Sequence, residues 1–187
     1  MGIRVRHRSE RQNLKDIREG QRGACEQAVR QHYRSIYRFL AYLSADASLA
    51  EDLTQETFIA AWANIGRYRG RASFGTWLHK IAYNKFVDSR RRLERRAALM
   101  AGLKQDNPDV QETLNPLHRL MCDEHSRLLY EWMRKLEPSE YITIVLHYIQ
   151  GLSFRDMANV LDEPTGTVKW RTSRALKRLK KFLTGRV

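Results

Sequence analysis

The chain is poor in the residues that staple or harden small secreted domains. It has only two cysteines, Cys25 and Cys122, and four prolines in 187 residues. Two cysteines fit reduced thiols better than a disulfide framework. No apolar run approaches the length of a membrane span, and Met1 to Arg22 has no apolar stretch of the secretory-signal kind. The expectation is a cytoplasmic protein without membrane insertion. Enzyme signatures are missing as well. There is no glycine-rich phosphate loop, no carboxylate cluster suited to metal ions and no nucleophile motif. The chain reads as a non-enzyme that needs neither cofactor nor metal. Alternating strand patterns are absent too, and helical periodicity dominates, which predicts an all-α fold.

Basic residues are plentiful. Lys and Arg number 34 against 21 acids, a formal charge of +13, which draws polyanions. The charge is segregated. Pro164 to Val187 has no acid but carries Lys169, Arg171, Arg174, Lys177, Arg178, Lys180, Lys181 and Arg186. A second basic block comprises Arg90, Arg91, Arg92, Arg95 and Arg96. Between Ser44 and Gly66 the sign reverses, with Asp46, Glu51, Asp52 and Glu56 and no Lys or Arg. That pattern suggests two surfaces for nucleic acid and one for a protein partner.

Periodicity places a helix after Gly23 carrying Ala28, Tyr33, Ile36, Tyr37, Leu40 and Leu43. A second runs over Ser48–Ile65, with Ser48 as its N-cap and Gly66 as its stop. A third, capped by Ser73, extends to about Arg96. Asn107-Pro108 and Asn115-Pro116 mark an apolar-poor linker. The predicted organisation is a basic extension over 1–19, a first helical domain over 20–96, a linker over 97–116 and a second helical domain over 117–187.

The second domain carries a helix-turn-helix pattern. Tyr141, Ile144, Val145 and Tyr148 share one helical face that ends at Gly151. Ser153 with Asp156 resembles a capping box, and Phe154, Met157, Ala158 and Leu161 make the inner stripe of a short helix. After Asp162-Glu163-Pro164, Thr165 is the expected cap of a helix that turns Val168, Thr172, Ala175, Leu179 and Phe182 inward. Its outer face would offer Thr167, Lys169, Trp170, Arg171, Ser173, Arg174 and Lys177 to duplex DNA. A helix fits the major groove with its N-terminal half against base edges, and lysines further along neutralise phosphate. The alternative is a solvated basic helix.

In the first domain, Phe74, Leu78, Ile81, Ala82 and Phe86 form a core stripe, while Trp77, Lys80, Asn84, Asp88 and Arg91 line another face. An aromatic, cations and an amide beside the loop Tyr68–Ala72 suit unpaired bases, which stack on rings and bond to amides. Trp77 reads equally well as core. On the second helix, Asp52, Gln55, Glu56, Ile59 and Ala63 share a face that suits docking on a basic protein surface. An ordinary solvated face is the alternative. His118, Cys122 and His125 lie at i, i+4 and i+7, a spacing compatible with zinc but lacking a fourth ligand.

In this order and spacing, the segments Ala50-Glu51-Asp52-Leu53-Thr54-Gln55-Glu56-Thr57-Phe58, Arg67-Tyr68-Arg69-Gly70, Ser73-Phe74-Gly75-Thr76-Trp77-Leu78, Gly151-Leu152-Ser153-Phe154 and Gly166-Thr167-Val168-Lys169 resemble the extracytoplasmic-function sigma factors of bacterial RNA polymerase. The resemblance covers about Arg18 to Leu183. It implies that the first domain melts and reads the downstream (−10) promoter element and the second reads the upstream (−35) one. Tyr68, Arg71, Ser73, Trp77, Lys80, Asn84 and Arg91 would then meet the downstream element, with flipped non-template bases among them. Asp52, Gln55, Glu56 and Ile59 would dock on the clamp helices of the largest polymerase subunit. The second domain would meet the flap of the second-largest subunit, and the linker would run near the RNA exit path. The implied localisation is cytoplasmic, and nucleoid-associated in the holoenzyme. Members of the family are commonly held by an anti-sigma protein. Trp170 departs from the family, which usually has a small polar residue there. The competing reading, a freestanding helix-turn-helix regulator, would need a dimerisation or ligand domain that the N-terminal half does not resemble.

Overall fold

The computed structural model describes residues 15–17, 19, 21–101 and 124–185. Among these every regular element is a helix. α1 (Arg22–Ser44), α2 (Ala47–Ala63) and α3 (Phe74–Ala101) pack together as one bundle. α4 (Glu124–Arg134), α5 (Pro138–Ile144) with a π turn over Val145–Ile149, α6 (Phe154–Leu161) and α7 (Thr165–Leu183) form the second group. α6 lies along α3, and the π turn touches α1, so the two groups share an interface.

The core of the first bundle takes in Ala28, Ile36, Leu40, Phe74, Leu78 and Ala82 of the predicted stripes and adds Phe39, Ala50 and Leu53, while Tyr33, Tyr37, Leu43, Ile81 and Phe86 stay half-buried. Ile36, Phe39 and Leu40 of α1 are fully enclosed with Ala50 and Leu53 of α2 and Leu78 and Ala82 of α3. Thr54 and Thr57 are also buried, and each returns its hydroxyl hydrogen to a carbonyl one turn back, at 2.6 Å. This satisfies a polar group that would otherwise cost free energy inside.

Several boundaries differ from the sequence reading. The cap of α2 is Asp46, whose carboxylate accepts from Leu49 N–H at 3.1 Å; Ser48 lies inside the helix. Asp46 has the extended backbone a cap needs, which composition alone does not disclose. Asn64 ends α2 and a 3-10 turn follows over Ile65–Arg67. α3 starts where expected, with Ser73 Oγ accepting from Thr76 N–H at 3.1 Å, but it continues through Ala97–Ala101, residues read above as linker. Alanine, leucine and methionine there are strong helix formers.

Tyr148, predicted to share a face with Ile144 and Val145, is 55% exposed while those two are buried. The π turn explains it: Gln150 N–H reaches back five residues to the Val145 carbonyl at 3.0 Å, and the additional residue rotates the apolar stripe. Ser153 caps α6 by accepting from Asp156 N–H, as the motif predicted. Asp162 closes it in the left-handed region at φ 58°. Thr165 caps nothing; it is the first residue of α7, and Pro164 occupies the cap position without a side-chain bond.

The interface between the groups is a mixed one. Tyr141 donates to the Tyr42 carbonyl at 2.6 Å, and Tyr42 meets Tyr130 edge-on. Beside them His79 is buried, with Nδ1–H directed at the Gly75 carbonyl at 2.7 Å, and Ser35 donates to Gln150 Oε1 at 2.8 Å. Burial pushes the His79 pKa below 6.5, and the neighbouring His32 is lowered by burial and by His79. In the unfolded chain these rings take up protons near pH 6.5, whereas in the folded one they resist protonation. Stability therefore holds above that pH and falls as the pH drops through 6.5 toward the folded values. A urea midpoint measured from pH 7.5 to 5 is expected to fall more steeply for the native chain than for His79→Gln. Equal slopes would refute this.

Candidate nucleic-acid interface

The downstream candidates gather at the start of α3. The loop after the 3-10 turn is tied down by Tyr68, whose ring is buried and whose hydroxyl donates to the Ala72 carbonyl at 2.7 Å. Tyr68 meets Phe74 edge-on and lies 5.2 Å from the Trp77 ring, and Phe74 stacks on Trp62. Such aromatic contacts hold the Trp77 indole in place, half-buried against the core. Beside it opens a depression of about 300 Å³ lined by Arg67, Tyr68, Arg69, Arg71, Trp77 and Lys80. A rigid aromatic wall with cations at the rim is the chemistry that accepts an unstacked base and its phosphates.

Not every predicted residue belongs to that depression. Ser73 is exposed, and its hydroxyl serves the helix cap. Asn84 is exposed further along α3. Arg91 lines a different cavity, a cleft of about 670 Å³ between the groups, with Arg90, Arg134, Arg171, Tyr42 and Tyr141. Arg67, Arg69 and Thr76, absent from the predicted set, do line the depression. The alternation Arg67-Tyr68-Arg69 was the available signal, since it brackets the one loop tyrosine with cations.

The second group covers part of this surface. Thr76 donates to Asp156 at 3.2 Å, Lys80 pairs with Asp162 at 3.2 Å, and Asn159 completes the wall of the depression. Asp156 and Asn159 lie one turn apart on α6, and Asp162 caps its C-terminal end.

On α7 the predicted sidedness holds. Val168, Thr172, Ala175 and Leu179 are buried, while Thr167, Lys169, Trp170, Ser173, Arg174 and Lys177 are exposed. Arg171 differs from its neighbours: it is half-buried and paired with Glu163 at 2.8 Å, which fastens the helix to the preceding turn. Trp170 is 60% exposed, and the Arg174 guanidinium lies 5.3 Å from its ring centre.

The candidate docking face on α2 is open. Asp52, Gln55 and Ile59 are exposed, and Ile59 keeps 67% of its surface in solvent. Glu56 is half-buried and holds Lys85 at 3.0 Å, so part of its charge serves α2–α3 packing. His118, Cys122 and the side chain of His125 lie outside the described residues. No described helix is long and apolar enough to cross a membrane.

Comparison with known proteins matches both groups. The family model "Sigma-70 region 2" matches residues 28–96, and "Sigma-70, region 4" matches residues 132–181. The ECF RNA polymerase sigma factor SigW of Bacillus subtilis is 31% identical over 180 residues, covering 92% of this chain and 96% of that protein. The RNA polymerase sigma-H factor of Pseudomonas aeruginosa is 27% identical, over 93% of each chain. Among solved structures, the complex of CnrH with the cytosolic domain of CnrY has a TM-score of 0.70 at 24% identity, covering 95% of this chain and 99% of the other. The complex of the sigma factor RpoE with the anti-sigma factor NepR from Bartonella quintana gives 0.66 at 24%, covering 85% and 96%. Two helical groups on one chain, matching regions 2 and 4 in that order, thus have a common explanation: the chain belongs to the extracytoplasmic-function sigma factors of bacterial RNA polymerase.

Proposed function

We propose a division of labour among the surfaces of this sigma factor. The depression beside Trp77 receives unpaired bases of the downstream promoter element, with Tyr68 and Trp77 as its wall and Arg71 and Lys80 on the phosphates. The α7 face from Lys169 to Lys177 enters the major groove of the upstream element. The α2 face of Asp52, Gln55 and Ile59 meets the clamp helices of core polymerase. The observation that carries this reading is the half-buried Trp77, fixed by Tyr68 and Phe74 and forming one wall of a cation-rimmed hollow. A free helix-turn-helix regulator has no use for such a hollow.

The contacts of Asp156 and Asp162 with the downstream surface imply that α6 leaves α3 before the two readers engage separate promoter elements. An anti-sigma partner is part of the proposal, because a protein seated across both groups would hold that contact closed; the solved RpoE neighbour was captured with one. The site of action is the cytoplasm, on the nucleoid once polymerase is bound.

The test is run-off transcription and permanganate footprinting with core polymerase on genomic promoters. Transcripts and reactive thymines in the downstream element are expected only when chain and core are combined. Opened DNA with unchanged permanganate reactivity in an Arg71→Ala, Lys80→Ala double variant would overturn the assignment of that surface.

A further inference from the structure

Glu140 is the most deeply buried charge among the described residues, at 2% exposure, and it lies on α5. Two arginines of α7 reach back to it. Arg178 Nη1 donates to Oε2 at 2.9 Å, and Arg174 Nε sits 3.0 Å from Oε1. A buried carboxylate must be compensated, and one guanidinium with a directed bond does most of that. The Arg178 contact has that direction. The Arg174 contact does not: Oε1 receives no hydrogen bond of good geometry.

Arg174 therefore does more than neutralise Glu140. Its Nε lies 3.0 Å from the carboxylate as an ion-pair contact without hydrogen-bond geometry, so Glu140 tethers the guanidinium by charge while the Nη donors are left for an outside partner. Its plane is held from the other side by the Trp170 ring, 5.3 Å away. Nearly half of the Arg174 side chain remains in solvent on the face that carries Trp170 and Ser173. An arginine fork fixed in direction before binding discriminates guanine O6 and N7 better than a free one, because less side-chain freedom is lost on contact.

We propose that Glu140, which touches no DNA, sets the base preference of the recognition helix by holding Arg174 against Trp170, so that the Arg174 fork reads guanine at one position of the upstream element. This rests on the reading that α7 enters the major groove. Glu140 is a positioning residue; Arg174 is the reader. Trp170 is the rigid support, and its free edge is left to a sugar or a thymine methyl.

The experiment uses holoenzyme reconstituted from core polymerase and the full chain, on promoters with a randomised upstream element, with enrichment of transcribed sequences as readout. The native chain is expected to favour guanine at one position by roughly 5- to 150-fold, the range of a bidentate contact. Arg174→Ala abolishes the preference there. Glu140→Leu and the near-isosteric Glu140→Gln reduce it by about 5-fold or more and leave the other positions unchanged. Both Glu140 variants are checked by thermal melting, and both are expected to fold, since the Arg174 and Arg178 side chains left behind keep 46% and 37% of their surface in solvent and are not buried unpaired charges. Trp170→Leu gives an intermediate loss. A sharp native motif that survives in both Glu140 variants overturns the proposal alone, as does an equal loss at every position, which marks a merely structural role. A flat native profile overturns the groove reading and the proposal together.

Discussion

Trp77→Ala is expected to slow promoter opening by about 10- to 100-fold, from the loss of one base–aromatic stack of about 1–3 kcal/mol. The effect should be confined to duplex promoters. On a template whose downstream element is already unpaired, the variant should fall within about 3-fold of the native chain, because the unstacking of the duplex has been supplied in advance. The indole also packs on Tyr68 and Phe74, so some stability is lost with it. Trp77→Phe separates the two roles by retaining a ring against those neighbours. Stopped-flow fluorescence of a base analogue in the downstream element measures the rate. Equal slowing on duplex and pre-opened templates would mean that Trp77 is core and not a stacking platform.

Ile59→Glu should weaken binding to core polymerase by about 30-fold or more, the effect of losing a central interface anchor. Ile59 keeps two-thirds of its surface in solvent, so the folded chain loses almost nothing on substitution. An exposed isoleucine flanked by Asp52 and Gln55 makes the apolar centre of an otherwise polar patch, the composition expected of a docking surface with a charged rim. Adding a carboxylate there buries a charge without a partner at the interface. Titration of fluorescently labelled chain with core polymerase gives the affinity, and thermal melting serves as the control. An unchanged affinity with native melting would remove α2 from the docking surface.

The helices were legible because each buries a stripe whose spacing is local. Leu78 and Ala82, or Val168, Thr172 and Ala175, announce their inner face within two turns of sequence. The Ser153 cap was legible for the same reason, its partner Asp156 being three residues away. What periodicity concealed was a change of period. The π turn at Val145–Ile149 has no composition of its own, and it sends Tyr148 outward against the pattern. Choosing between Asp46 and Ser48 as the cap of α2 depends on backbone angles that either residue could have adopted. The downstream surface was readable in kind but not in membership. Trp77 and Lys80 share a helical face, whereas Arg67 joins them only because the 3-10 turn brings it round. The pairing of Glu140 with Arg174 and Arg178, and that of Asp162 with Lys80, bridges long stretches of chain and leaves no local mark.

The α6–α3 contact has a consequence for promoter occupancy. If only a fraction of molecules is open, the apparent affinity for promoter DNA is the intrinsic affinity multiplied by that fraction. Each tenfold of closure then costs about 1.4 kcal/mol of binding, spread evenly over every promoter. On the proposed reading, the contacts of Asp156 and Asp162 with Thr76 and Lys80 would then scale the output of every promoter by one common factor, without altering which genes are selected.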